Sequence, residues 1–197
     1  MGKLGIFGDS FGYQKTRDPF PSWVDLLSRE YLVDNHCECG VGEYKILKQL
    51  QQADLDRYDA IIVTHTSYSR VFVEHNPLHA TSETHKNCDI LYSDIEGHKD
   101  EFSRAGQLYF KHIYSDEYAR DMHNLILQEI DRLLVGRKVI HMTHFDHAGL
   151  YQFPNLLEFN ELFLENRGTV NHYNETANMA IFTIVSQRLL CERLNAQ

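Results

Sequence analysis

Short apolar runs alternate along the chain with stretches whose apolar residues recur at helical spacing, and their order predicts the elements. Leu4-Gly5-Ile6-Phe7 ends in Gly8-Asp9-Ser10, as a buried strand entering a loop does. Ser22-Trp23-Val24-Asp25 has the form of a capping box opening a helix, with Trp23, Leu26, Leu27 and Tyr31 on its apolar face. A weaker strand is predicted over 32–37, ahead of Gly40-Val41-Gly42, and a helix over 43–52. Ala60-Ile61-Ile62-Val63 is a continuous apolar run of the kind seen in strands covered on both faces.

The rhythm breaks over about 65–105, which is polar, lacks a clean period and holds His65, His75, His79, His85 and His98. A stretch this long without periodicity predicts a lid or insertion rather than a plain loop. Helical spacing returns over 106–134, with Ser115 followed by Asp116 and Glu117 as a second helix start and Gly136 as the stop. Lys138-Val139-Ile140-His141-Met142 is the next strand, and the final helix opens at Asn174 with Ala177, Ala180, Ile181, Ile184, Val185 and Leu189 on one face. Strand and helix alternate throughout, which predicts an α/β chain folded as a three-layer α/β/α sandwich around a mostly parallel sheet. One domain over 1–197 with the polar insertion at about 65–105 follows from the length of 197 residues and the lack of a linker or repeat. In such folds ligands bind outside the carboxyl ends of the strands, so Ser10, Gly42, Ser67 and the His141 region are expected on one rim.

Composition narrows the partners. The 28 acidic and 19 basic residues leave a net charge of −9, and no basic block stands ready to neutralise a phosphate backbone, so nucleic acid is not an expected partner. No apolar run reaches the length of a membrane span, and the first ten residues lack a secretory apolar core, so the expectation is a cytoplasmic protein. Cys37, Cys39, Cys88 and Cys191 have no zinc-finger spacing and are expected as free thiols.

Two short motifs carry candidate chemistry. Ser10 follows a strand between glycines at 8 and 12, where its hydroxyl faces the open sheet edge and small neighbours admit a substrate carbonyl. A serine hydroxyl is a weak nucleophile and needs a base within reach. His172, in Asn171-His172-Tyr173-Asn174 just before the last helix, is placed to be that base. Taken alone, the first motif reads better as a strand-ending turn closed by an Asx bond at Asp9, and the second as an ordinary loop histidine.

Taken together, they give the chain a resemblance to the SGNH/GDSL hydrolase family. The resemblance runs through Gly-Ile-Phe-Gly-Asp-Ser at 5–10, Trp23-x-x-Leu26-Leu27, Gly40-Val41-Gly42, the strand at 60–63 and His172-Tyr173-Asn174, in order and over nearly the full length. It implies a flavodoxin-like sandwich in which Ser10 is the nucleophile of an esterase or acyl hydrolase and His172 the general base. An oxyanion hole would be built from the N–H groups of Ser10 and Gly42, with neither metal nor cofactor. A small-molecule or glycan ester would be the substrate. Two positions depart from the family pattern. The third block, Thr64-His65-Thr66-Ser67-Tyr68-Ser69-Arg70, lacks the usual oxyanion asparagine, leaving Ser67 or Tyr68 as the replacement donor. Thr169 stands where an aspartate usually orients the histidine, leaving a backbone carbonyl or an acid from elsewhere, such as Asp146. These departures carry the alternative, an SGNH-like domain weakened in catalysis that binds a glycan, an acyl group or a protein.

Other constellations weigh less. His141-x-x-His144-x-x-His147 with Asp146 is a metal-ligand candidate, although its spacing is not that of a helical zinc pair and pocket-lining polar residues are the plainer reading. His75, His79 and His85 have no consistent spacing, and Gly40-x-Gly42-x-x-Lys45 breaks the dinucleotide fingerprint at its third glycine. Arg70, if it faces the rim, favours a substrate bearing a carboxylate or phosphate; a solvated surface arginine is an equal reading.

Overall fold

A computed structural model describes residues 2–13, 19–168 and 172–194. Five parallel strands, β1 (Lys3–Gly8), β2 (Leu32–Asn35), β3 (Ala60–His65), β4 (Val139–Thr143) and β5 (Leu156–Glu158), form one sheet in the order β2-β1-β3-β4-β5. That order is the flavodoxin-like one, and its direction of winding reverses between β1 and β3. Helices α1 (Trp23–Leu27), α2 (Glu43–Gln52), α3 (Tyr92–Ile95), α4 (Glu101–His112), α5 (Asp116–Leu134), α6 (Asn160–Glu165) and α7 (Glu175–Leu194) complete the chain.

The continuous apolar runs divide their side chains between two cores. Leu4 and Ile6 of β1, Ala60 and Ile62 of β3, and Ile140 and Met142 of β4 pack with Trp23, Val24 and Leu27 of α1 and Ala177, Ile181 and Val185 of α7. Phe7, Ile61 and Val63 point the other way, against Ile46, Leu47 and Leu50 of α2 and Ile130 and Leu134 of α5. Strand side chains alternate between faces, so a strand buried on both sides must be apolar at every position. The Ser22–Asp25 capping box forms as predicted, and the Trp23 N–H donates to Asn178 Oδ1 at 2.9 Å, tying α1 to α7. Asn174 Oδ1 accepts from the Ala177 N–H at 3.0 Å and opens α7.

Some boundaries differ from expectation. The second strand stops at Asn35, whose Oδ1 accepts the Cys37 N–H at 3.0 Å and turns the chain out of the sheet. Helix α4 begins inside the polar stretch because Asp100 caps it, accepting the Ser103 N–H at 2.9 Å, and α5 starts separately at the Ser115 cap. The rest of that stretch is pinned down by side chains. Val71 and Ile90 form an antiparallel bridge, and Lys45 Nζ donates to the carbonyls of Val73 (2.7 Å) and Asn87 (2.6 Å). Among the described residues no helix is long and apolar enough to cross a membrane.

Candidate functional site

The crevice beyond the carboxyl ends of β1 and β3 is where this topology places a ligand. Ser10 stands there in a tight helical turn, Ser10–Gly12, directly after β1. The chain enters that turn through Gly8, at φ +145°, where a Cβ would lie 2.9 Å from Thr64 Cβ and closer still to other Thr64 atoms. Asp9 is fully buried beneath the turn. Its N–H donates to Thr64 Oγ1 (3.2 Å), and its Oδ1 accepts the Phe11 N–H (3.0 Å). Burial raises the Asp9 carboxyl to about 7, against the opposing pull of the Phe11 N–H and the Arg70 charge. The Trp23 indole N–H donates to the Phe11 carbonyl at 2.8 Å and locks the turn onto α1.

A cleft of about 700 Å³ opens above this turn, and Ser10, Gly40, Arg70, Asp146, Arg167 and His172 are among the residues on its walls. The two ends of the chain therefore meet. Phe11, next to Ser10, has its ring 5.6 Å from the His172 imidazole, centroid to centroid. The same ring stacks on His144 at 4.5 Å, 10° from parallel, and meets Phe163 and Tyr173 edge-on. His144 Nδ1 is bonded to the Tyr173 hydroxyl, and burial lowers this imidazole to about 3, so it stays neutral.

Gly42, Ser67 and Tyr68 are not brought into this cleft; they line a separate cavity of about 310 Å³. The Gly42 N–H, expected at the oxyanion hole, donates to Asp89 Oδ2 at 2.7 Å. Asp89 is buried and paired with Lys45 at 2.8 Å, so that amide is held by a carboxylate. Ser67 Oγ bonds Ser69 Oγ at 2.8 Å, and the Tyr68 hydroxyl accepts from Arg120 at 3.3 Å. Gly40 is the glycine that lines this cleft with Ser10. It sits at φ +73°, with its missing Cβ only 2.6 Å from Cys88 Cβ, which keeps the backbone close to the rim. Among the described residues no acceptor takes the N–H of Ser10 or of Gly40. Thr169 lies outside the described residues. Asp146 is exposed on the cleft, with Oδ1 accepting the Ala148 N–H at 2.9 Å.

The three histidines of the 141–147 motif diverge. His141 Nδ1 meets His65 Nε2 at 2.9 Å, His144 turns to Tyr173, and His147 Nε2 donates to the Tyr151 carbonyl at 2.7 Å. Among the described residues no group of three or more His, Cys, Asp or Glu side chains is placed to hold a metal ion. What sequence reasoning missed is the buried chain that His141 joins. His65 Nδ1 bonds Glu43 Oε1 at 2.6 Å, and Glu43 Oε2 accepts the Thr66 N–H at 3.0 Å. Burial holds His65 at about 3 and His141 at about 2, and raises the Glu43 carboxyl. With Glu43 ionised, its oxygen fixes the His65 proton on Nδ1; Nε2 then accepts from His141 Nδ1–H. Cys37, Cys39, Cys88 and Cys191 are unbridged.

No protein-family model matches this chain, and no curated protein matches it either.

Proposed function

We propose that the chain is a serine hydrolase acting on carboxylic esters through an acyl-enzyme on Ser10. The observation that carries this reading is the convergence of Ser10 and His172, 162 positions apart in the chain, on one cleft at the β1/β3 switch point. In the reaction, neutral His172 takes the Ser10 hydroxyl proton while Oγ attacks the ester carbonyl. The carbonyl electron pair moves onto oxygen, which the N–H groups of Ser10 and Gly40 stabilise, neither of them taken by an acceptor among the described residues. Collapse expels the alcohol, which receives the proton from His172. Water, deprotonated by the same imidazole, then releases the acid and frees Ser10. Of the three acids on the cleft, Asp89 and Asp94 serve Lys45, Gly42 and Leu91, and the exposed Asp146 is the one assigned to steady the imidazolium.

The test is hydrolysis of p-nitrophenyl acetate by the wild type, Ser10→Ala and His172→Ala, with each fold checked by circular dichroism. Turnover by the wild type alone, with fluorophosphonate labelling of Ser10, supports the reading. A second reading, a domain of this kind that binds a glycan, acyl group or protein without hydrolysing it, is favoured by the engagement of the Gly42 amide with Asp89. An inert, unlabelled but folded wild type would favour that one.

A further inference from the structure

Arg70 leaves the loop after β3 and lies half-buried on the wall of the Ser10 cleft. Its guanidinium donates through Nε to Thr66 Oγ1 at 3.2 Å and through Nη1 to the Gly40 carbonyl at 3.1 Å. Both acceptors are neutral, and Nη2 makes no hydrogen bond among the described residues. The acids of the cleft do not compensate it. Asp89 is paired with Lys45 at 2.8 Å, Asp94 accepts the Leu91 N–H at 2.9 Å, and Asp146 accepts the Ala148 N–H at 2.9 Å. No described carboxylate lies within ion-pair distance of Arg70. Arg167 joins it on the cleft, its guanidinium carbon 5.1 Å above the Phe163 ring. The buried Asp9 carboxyl feels the Arg70 charge, but it is not within ion-pair distance, and burial holds it at about 7. A cation partly withdrawn from water and bonded only to neutral oxygens has lost hydration without gaining an ion-pair partner among the described residues. A planar guanidinium with a free edge fits a carboxylate or phosphate oxygen pair.

We propose that the ester taken by this cleft carries an anionic oxygen group, carboxylate or phosphate, and that Arg70 binds it. The inference rests on the hydrolase reading for the reaction, but the anion site is testable without turnover. In an acidic chain of net charge −9, a guanidinium with no ion-pair partner among the described residues, on the same cleft as the nucleophile, selects substrates that the rest of the surface repels. Arg167 is placed to add a second, weaker contact.

The experiment compares esters matched in shape and different in charge: 3- and 4-acetoxybenzoate and 4-acetoxyphenyl phosphate against 3- and 4-acetoxybenzamide. Wild type, Arg70→Gln and Arg70→Lys are assayed, each with its fold checked by circular dichroism. The expected result is a kcat/KM for an anionic ester about tenfold or more above its amide partner, as a charge-assisted hydrogen bond gives. That ratio falls towards one in Arg70→Gln and is partly kept in Arg70→Lys. Preference among the benzoates and the phosphate separates the two anion types. A wild type that treats charged and uncharged esters alike overturns the proposal and leaves the hydrolase reading standing. Equal slowing of both classes by Arg70→Gln also overturns it, and assigns Arg70 to the oxyanion or the loop. If no ester turns over, calorimetry on Ser10→Ala decides: tighter binding of acetoxybenzoate than of acetoxybenzamide, lost on adding Arg70→Gln, sustains the anion site, and equal binding removes it.

Discussion

The ring of Phe11, one residue beyond the candidate nucleophile, lies 5.6 Å from the imidazole of His172, so the turn after the first strand and the segment before the last helix share a wall of one cleft. Phe11 is also buried against His144, Phe163 and Tyr173, and its carbonyl accepts the Trp23 indole proton. The residue that spaces the site is thus a core residue as well.

Truncating it should therefore cost both stability and reactivity. Phe11→Ala is expected to lose about 3–5 kcal/mol, the usual range for a buried aromatic, lowering the melting temperature by roughly 10 °C. Phe11→Leu keeps most of the volume and should recover most of that loss. It should still slow fluorophosphonate labelling of Ser10, because the face against His172 is gone. Labelling at the wild-type rate in a folded Phe11→Leu would detach Phe11 from the site.

Much of this architecture was legible before the structure. The runs at 4–7 and 60–63 read as buried because a strand covered on both faces is apolar along its length, 138–142 read as a strand, and the Ser22–Asp25 box is a local device with a local signature. Ser10 and His172 could be paired only through the ordered motifs between them. The short edge strand β5 carries too few residues to show a period. The bond between Gly42 and Asp89, and the one from Glu43 through His65 to His141, join residues 47, 22 and 76 apart in sequence, and nothing in a linear pattern records such partners.

The buried imidazoles make a prediction for acid. His65 and His144 are held at about 3 and His141 at about 2 when folded, against an ordinary value of 6.5. Below pH 6.5 the unfolded chain takes up protons that these folded sites refuse, so stability falls as pH drops from 7 towards 4. Each such group contributes a slope of about 1.4 kcal/mol per pH unit. His144→Asn keeps a polar partner for Tyr173 and removes one titration. Denaturant unfolding from pH 7 to 4 should show a shallower dependence in that variant; an unchanged slope would mean that His144 is not held neutral.

Asp9 works in the opposite direction. Its carboxyl is raised to about 7 from 3.8, so the folded state retains a proton that the unfolded chain releases between those values. Asp9 therefore weakens the fold as pH rises from about 4 to 7, and the effect is complete above that. Asp9→Asn retains the Oδ1 that caps Phe11 and cannot ionise. Its stability relative to wild type should improve with pH by about 1.4 kcal/mol per unit through that window, then level off. A constant difference from pH 4 to 8 would place the Asp9 carboxyl in its ordinary range.

Asp89 joins the polar stretch to the start of α2, and the number of donors it serves sets the cost of removing it. One oxygen accepts the Gly42 N–H at 2.7 Å; the other accepts the Val73 N–H at 3.0 Å and pairs with Lys45 at 2.8 Å, with the side chain only 1% exposed. Asp89→Ala would leave two amides without their acceptor and the Lys45 ammonium, still bonded to the Val73 and Asn87 carbonyls, without its counter-charge, and breaking a buried pair from one side typically costs about 3–5 kcal/mol. Lys45→Met removes the charge and spares the carboxylate its two amide donors, so it should cost less. Because the two residues share one network, the double variant should lose clearly less than the sum of the single losses. Urea unfolding of the four proteins measures this coupling. Additive losses would show that Lys45 and Asp89 stabilise the chain independently, and a loss under about 1 kcal/mol for Asp89→Ala would show that water replaces the carboxylate at this site.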